Sequence, residues 1–313
     1  MAGLFFRVIF FLLMFVPSLG AHADLVEAET AYKKGDYKTT LKDLLPLAQK
    51  GNSIAQFNLG LIYAQGLGVE LNNKKAFEWY LKAANQGHVF AQFNLGLIYS
   101  EGKGVSRNLK KALIWFSKAA EQGDADAEYV MGVMHDDKHS GALENKNTRA
   151  VPLDYRKAFD WYRKAAEQNN VQAQYMLGVK YANGEGVGQD YGKAVEWYLK
   201  AASQGEIRAQ YNLGIRYASG QGVTQNLGEA VVWYREAAER GNAAAQNNLG
   251  VMLANGQGVS QDWVEAYKWI LLAAESGNED AIKNQELIGS KMNQKQIEEA
   301  VEQAKAWRLD RIE

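Results

Sequence analysis

The sequence predicts an all-α chain, an α/α superhelical solenoid of about seven helix-turn-helix repeats with a 36-residue period and helical caps. Tryptophan recurs at Trp79, Trp115, Trp161, Trp197, Trp233 and Trp269, 36 residues apart except for one step of 46. The words around it recur too: Ala76-Phe77-Glu78-Trp79-Tyr80-Leu81-Lys82-Ala83-Ala84 returns as Ala194-Val195-Glu196-Trp197-Tyr198-Leu199-Lys200-Ala201-Ala202. A turn with two glycines, Gly66-Leu67-Gly68-Val69, returns at 102–105, 184–187, 220–223 and 256–259. A fixed period of this length means that each unit buries its apolar face only against its neighbours.

Each unit reads as two helices. In the first, Ala55-Gln56-Phe57-Asn58-Leu59-Gly60-Leu61-Ile62-Tyr63 places Ala55, Leu59 and Tyr63 four apart, on one face. Gly60 recurs as Gly96, Gly132, Gly178, Gly214 and Gly250. Glycine costs a helix about 1 kcal/mol relative to alanine, so its return in every unit predicts close approach of a neighbouring backbone. The second helix is expected to start behind Asn72, Asn108, Asp154, Asp190, Asn226 and Asp262, whose side chains can accept from first-turn amides. It is expected to stop at Gly51, Gly87, Gly123, Gly205, Gly241 and Gly277, with Asn169 in the one remaining unit; these residue types accept the left-handed conformation. The periodic tryptophans and tyrosines are read as core, since every unit carries them at the same helical position.

The ends depart from the period. Residues 5–16 are apolar apart from Arg7, and Ala21-His22-Ala23 offers small residues for a signal peptidase. So short a stretch does not span a bilayer. Residues 1–23 are therefore expected to be a secretory signal peptide, cleaved near Ala23 to leave a periplasmic or secreted chain that opens at Asp24. Residues 24–51 are expected to form a degenerate N-terminal capping helix pair, 52–277 the array with a longer loop at 135–152, and 278–313 the C-terminal capping helices. Within that last region, 294–307 should bury Ile297, Ala300, Val301 and Ala304 on one face.

Composition excludes several classes. The chain has no cysteine, which removes disulfides and thiolate metal sites. Its 35 basic and 36 acidic residues leave no electrostatic footprint for nucleic acid. No segment after the signal is apolar for long enough to cross a membrane. In the insertion, His135, Asp137 and His139 could offer ligands to zinc or nickel, but a polar, glycine-containing loop supplies no second shell to hold them. A partner-specific protrusion suits such a loop better. Ser100-Glu101-Gly102-Lys103 fits the Ser-x-x-Lys word of serine β-lactamases. Ser100, however, occupies a repeat position filled elsewhere by Ala64, Ala182, Ala218 and Ala254, and the accompanying words are missing. No catalytic residue, metal or cofactor is expected.

Together, the Leu-Gly-x-x-Tyr word, the glycine turn and the Ala-x-x-Trp-Tyr-x-x-Ala-Ala word resemble the SEL-one-like repeat family, relatives of the tetratricopeptide repeats, over residues 52–277. The resemblance implies an α/α solenoid that acts as a non-catalytic protein–protein interaction scaffold or adaptor, in bacteria often periplasmic, secreted or linked to envelope signalling and host contact. The expected partner is a protein or peptide, such as a cell-wall enzyme or a sensor domain. A peptidoglycan-acting or glycan-binding protein is the alternative.

First helices of such pairs line the concave side, so residues there that differ between repeats are candidates for recognition. One helical stripe carries Ile54, Asn58 and Ile62, then Phe90, Asn94 and Ile98, then Met134, Met176 and Lys180, and finally Arg208, Asn212 and Arg216. It runs from apolar to basic, which predicts a ligand with an apolar segment followed by acidic residues, with asparagines that either meet an extended backbone or tie adjacent units together.

Overall fold

The computed structural model describes residues 19–136 and 153–310. Their regular elements are all α-helices: α1 (Leu19–Lys33), α2 (Tyr37–Gln49), α3 (Ser53–Gln65), α4 (Asn73–Asn85), α5 (Val89–Glu101), α6 (Leu109–Glu121), α7 (Ala125–His135), α8 (Tyr155–Glu167), α9 (Val171–Asn183), α10 (Tyr191–Ser203), α11 (Ile207–Ser219), α12 (Leu227–Glu239), α13 (Ala243–Asn255), α14 (Trp263–Glu275), α15 (Glu279–Gly289) and α16 (Gln294–Leu309). The chain divides into two compact units, residues 1–165 and 166–313. In the first, α1 pairs with α2, α3 with α4 and α5 with α6, and each pair packs on the next. In the second, α9 pairs with α10, α11 with α12 and α13 with α14, with α15 and α16 packed on α14. This is the stacking of an α/α solenoid.

The helix boundaries follow from local chemistry. Asn72, Asn108, Asp190, Asn226 and Asp262 each accept from the amide three residues on, and Asp154 does the same for Lys157 at 3.0 Å. These bonds satisfy amides that the first helical turn leaves open. The second helices stop at left-handed residues, and Asn169 is the one non-glycine with positive φ among the described residues, at 63°. The repeat containing the insertion closes like the others: Asp154 N donates to His135 O at 3.0 Å, as Asn72 N does to Tyr63 O at 2.9 Å. The loop expected at 135–152 lies outside the described residues beyond Asp136, and the expected signal peptide lies outside them up to residue 18. α1 runs across the expected cleavage point.

The helix glycines have a different cause from the one expected. A Cβ on Gly60 would lie 2.6 Å from the Tyr80 ring, on Gly96 2.5 Å from Phe116, on Gly132 2.6 Å from Tyr162 and on Gly214 2.5 Å from Tyr234. At these positions an aromatic ring of the second helix, rather than a backbone, rests on the bare Cα, while a Cβ on Gly250 would meet the Ile270 side chain at 2.6 Å and the Ala266 carbonyl oxygen at 2.9 Å. Closer backbone approach occurs at the second turn glycine: a Cβ on Gly104 would lie 2.6 Å from the Asn73 carbonyl of the preceding repeat.

The tryptophans also need correcting. The deepest position is the one after each, with Tyr80 and Tyr162 at 0 % exposure and Tyr198 at 2 %. Only Trp115 and Trp269 are buried, while Trp79, Trp161, Trp197 and Trp233 are half-buried. The rings rim the core and carry a lysine from the next helical turn, Lys82 over Trp79 at 4.1 Å and Lys200 over Trp197 at 3.9 Å. The lysine covers the ring while its ammonium stays in water.

A glutamine ladder joins neighbouring pairs. Buried Gln56 donates to Ala48 O at 3.0 Å and accepts from Gln86, 30 residues on, at 2.7 Å. Gln92 repeats the pattern with Ala84 O and Gln122, as does Gln174 with Ala166 O and Gln204. The ladder fails where the rung becomes Arg240 and then Ser276. Arg240 turns to Gly205 O, and the buried side-chain carbonyls of Gln210 and Gln246 are left without a donor.

At the C-terminal end, α16 buries Ala300 and Ala304 against α14, and Trp307 meets Trp269 edge to face at 5.9 Å. Ile297 is half-buried as expected, but Val301 is exposed because it has rotated off the contact face.

Two measurements test this packing. Gly214→Ala should lower stability by about 1–3 kcal/mol despite its better helix propensity, since the added methyl group has no room; the shift is read from the urea midpoint by circular dichroism. Ser276→Gln should restore a rung to Gln246 and raise the melting temperature, with a gain of about 1 kcal/mol.

Candidate functional site

The two units are best taken separately. In the first, the expected stripe lies partly beneath the surface. Asn58, Ile62, Asn94 and Ile98 are buried, with Ile62 at 0 % and Ile98 at 2 % exposure. Ile62 and Ile98 fill the cores between helix pairs, and Asn94 lies against the Tyr80 phenol. They serve packing and cannot touch a ligand where they stand. Ile54, Phe90 and Met134 are half-buried and reach the surface.

Phe90 belongs to a small aromatic cluster. His88 stacks on Phe57 with centroids 4.7 Å apart and an interplanar angle of 17°, and Phe90 lies 6.0 Å from the His88 ring. His88 is also the N-cap of α5, its Nδ1 accepting from Ala91 N at 3.3 Å. That bond requires an unprotonated Nδ1, and burial lowers the imidazole pKa from 6.5 to about 4.

In the second unit, the cations at the basic end of the stripe are already engaged, Lys180 and Arg208 by carboxylates and Arg216 by an amide and a ring. Lys180 is wholly buried and pairs with Glu185 at 2.8 Å, and Met176 is 2 % exposed. Both are corrected from contact residues to interior ones. Arg208 is exposed but held by Glu206 at 2.7 Å, with its guanidinium carbon 4.2 Å from the Tyr175 centroid. Burial tends to raise the Glu206 carboxyl pKa, but hydrogen bonds from Arg208 and Gln172 outweigh it and leave that pKa lowered. Arg216 lies 4.9 Å from the Tyr191 centroid and donates to Gln221 at 2.5 Å. Asn212 lies against the phenols of Tyr175 and Tyr198. Of the two roles open to the asparagines, tying helices together is the one Asn212 performs.

A further opening lies where the columns of the stripe continue to Asn248 and Met252. A cleft of about 670 Å³ lies among α11, α12, α13 and α15, lined by Tyr234, Asn247, Asn248, Val251, Met252, Lys283 and Asn284 among others. Asn284 Nδ2 donates to Asn247 Oδ1 at 2.8 Å, and Asn248 lies against the Tyr234 phenol. The signal was present in the repeats. Asn247 stands in a column filled elsewhere by Phe57, Phe93, Tyr129, Tyr175 and Tyr211. Each of those rings packs on the deep aromatic of its partner helix, as Tyr175 does on Tyr198 at 6.0 Å and Tyr211 on Tyr234 at 6.0 Å. An amide in place of the last ring leaves space and replaces an apolar wall with donors and acceptors.

The Ser-x-x-Lys word does not assemble a nucleophile. Ser100 Oγ donates to its own helix at Leu97 O, 2.8 Å away, and Lys103 pairs with Glu101 at 2.6 Å. Of the three loop residues considered for a metal, His135 ends α7, and Asp137 and His139 lie outside the described residues. No group of three or more metal-ligating side chains occurs among the described residues.

Fold and surface together define a helical repeat protein built to present side chains along its helices. The Sel1 repeat pattern matches residues 53–88, 89–124, 148–170, 171–206, 207–242 and 243–278, and the chain belongs to the Sel1-repeat family. Members are in general non-catalytic scaffolds for protein–protein interaction. The crystal structure of a Sel1 repeat protein from Oxalobacter formigenes is 35% identical, with a TM-score of 0.67, and the match covers 80% of this chain and 96% of that one. The crystal structure of c5321, a protective antigen of uropathogenic Escherichia coli strains with an SLR fold, is 31% identical with a TM-score of 0.60, covering 92% of this chain and 68% of that one. No curated protein matches the chain.

The His88 geometry has a pH signature. Its folded pKa lies below the unfolded value of 6.5, so its contribution is complete above pH 6.5 and is lost as pH falls toward 4. Between those limits the first unit should lose about 1–3 kcal/mol. His88→Asn keeps a side-chain cap, as Asn52 and Asn170 do, and should flatten the dependence in denaturant titrations across that range.

Proposed function

We propose that this protein is a non-catalytic adaptor of the bacterial cell envelope, exported by cleavage near Ala23, which binds a segment of a partner protein in the cleft at Asn247, Asn248 and Asn284. The partner's class is that of an envelope enzyme or signalling protein. The cleft carries this reading. Half-buried Asn248 and Asn284 offer donors and acceptors suited to the peptide groups of an extended segment, held from beneath by buried Asn247, and Val251 and Leu227 give an apolar floor for a side chain. Arg208, Asn212 and Arg216 lie on the same helix, α11, and contribute their outward edges rather than free charge. In the first unit, Ile54, Phe90 and Met134 offer a second, apolar contact. The description of the Escherichia coli relative as a protective antigen supports a place outside the cytoplasm, where an immune response can reach it.

Expressed with its own N-terminus and a photoreactive residue at position 284, the chain should be recovered beginning at Asp24 and crosslinked to one envelope protein. Asn247→Tyr refills the aromatic column and should cut that crosslink at least tenfold without loss of helicity. The same crosslink at undiminished yield in Asn247→Tyr would reject the cleft.

A further inference from the structure

The second helices carry a charge pattern that the adaptor reading does not use. Around four of the periodic tryptophans the pattern is Lys-Trp-Lys: Lys75 and Lys82 around Trp79, Lys111 and Lys118 around Trp115, Lys157 and Lys164 around Trp161, Lys193 and Lys200 around Trp197. The later lysine sits over the tryptophan ring in all four, at 4.1, 4.4, 4.3 and 3.9 Å. The earlier one lies over the tyrosine that ends the first helix in three, Lys75 on Tyr63 at 5.1 Å, Lys111 on Tyr99 at 5.3 Å and Lys193 on Tyr181 at 5.4 Å. Three of these repeats fill two aromatic slots with their own cations, and the Trp161 repeat fills one.

The repeat of α11 and α12 reverses both signs. Glu229 and Glu236 stand where the lysines would, around Trp233, and Tyr217 ends the first helix as Tyr63, Tyr99 and Tyr181 do. Both glutamates are exposed and both rings half-buried. No cation lies over either ring among the described residues, and neither carboxylate has an ion pair there. The nearby arginines are engaged elsewhere, Arg235 with Glu265 and Arg240 with Gly205 O. The Trp233 N–H is buried without an acceptor, so the part of the ring that reaches solvent is its carbon framework. A π face repels a carboxylate and attracts a cation, which leaves two sites on one helix that combine an aromatic face with a free negative charge.

We infer that the Tyr217–Glu229 and Trp233–Glu236 slots are a docking site for two cationic side chains, lysine or arginine, on a basic segment of a protein partner. The occupant is fixed by charge complementarity and by the repeats themselves, where a lysine fills seven of the equivalent slots. Glu229 and Glu236 are seven residues apart, about 10 Å along the helix axis. Three residues of polyproline II helix advance about 9 Å and return to the same face, so a segment in that conformation with basic residues at positions i and i+3 matches both slots. This surface lies on α12 and the end of α11 and does not depend on the Asn247 cleft.

The test uses the whole chain labelled with 5-fluorotryptophan, the Trp233 resonance being assigned from Trp233→Phe. Titration with the peptide Gly-Lys-Gly-Gly-Lys-Gly at low salt should move the Trp233 signal saturably while Trp197 stays fixed, and the apparent affinity should fall at least fivefold on raising salt tenfold. Glu229→Lys with Glu236→Lys recreates the pattern of the other repeats, so the fold is retained, and the Trp233 response should vanish. A peptide with both lysines acetylated should give none. A Trp233 signal that stays put at millimolar peptide, moves no more than Trp197, or still responds in the charge-reversed variant would overturn the proposal.

Discussion

The contact between a bare helix Cα and an aromatic ring is the constraint on which the array rests. Five pairs close by laying the ring after their tryptophan on the glycine of the first helix, at a distance that admits no Cβ, and Ile270 takes the place of the ring at Gly250. That contact sets how near the two helices run. It also decides which residues fall inside, because helices this close leave room only for alanine on the flanking turns, as at Ala83, Ala119, Ala201 and Ala237, all fully buried. The tryptophan, one position earlier, is pushed to the rim by the same geometry.

Joining one pair to the next is a second, polar problem. Each second helix ends with open carbonyls, and the glutamine of the following first helix reaches back to one of them while accepting from the next rung. Buried amides that are fully bonded fix register as well as contributing energy. The lapses at Arg240 and Ser276 occur in the second unit, where the aromatic column also breaks at Asn247 and the lysine stripe reverses at Glu229 and Glu236. These three departures from the repeat fall in α11 to α15, apart from the insertion that follows α7. Packing demands the same residue in every unit, and positions that abandon it, with no gain in packing, are where recognition is freed to act.

Charge follows a related logic. The basic residues of the first helices look like a reservoir for an acidic ligand when read along a stripe. In three dimensions Lys180, Arg208 and Arg216 already face Glu185, Glu206 and Gln221. A buried lysine without its carboxylate would be costly, so at Lys180 burial and pairing came together, while Arg208 stays at the surface beside Glu206. On the second helices the outcome is opposite: Glu229 and Glu236 stay exposed and unpaired because their cationic counterparts have been replaced rather than buried.

The period, the helix pairs and nearly every cap were legible in the sequence, because capping and glycine turns are settled within four or five residues and repeat in register. The Asn and Asp starts and the left-handed stops, including Asn169, needed no knowledge of distant contacts. The cause of the helix glycines, the rim position of the tryptophans, the exposure of Val301 and the interior placement of Asn58, Ile62, Asn94, Ile98, Met176 and Lys180 were not legible. Each depends on which side of a helix meets a neighbour and at what distance, and a spacing of four names a stripe without saying whether solvent or another helix lies over it. The opening at Asn247 lies between these cases: the broken column stands in the sequence, but only the packing of Tyr211 on Tyr234 shows that a missing ring leaves a cleft. Local hydrogen bonding was thus fixed by the chain itself, while depth and access were decided by how the helices stack.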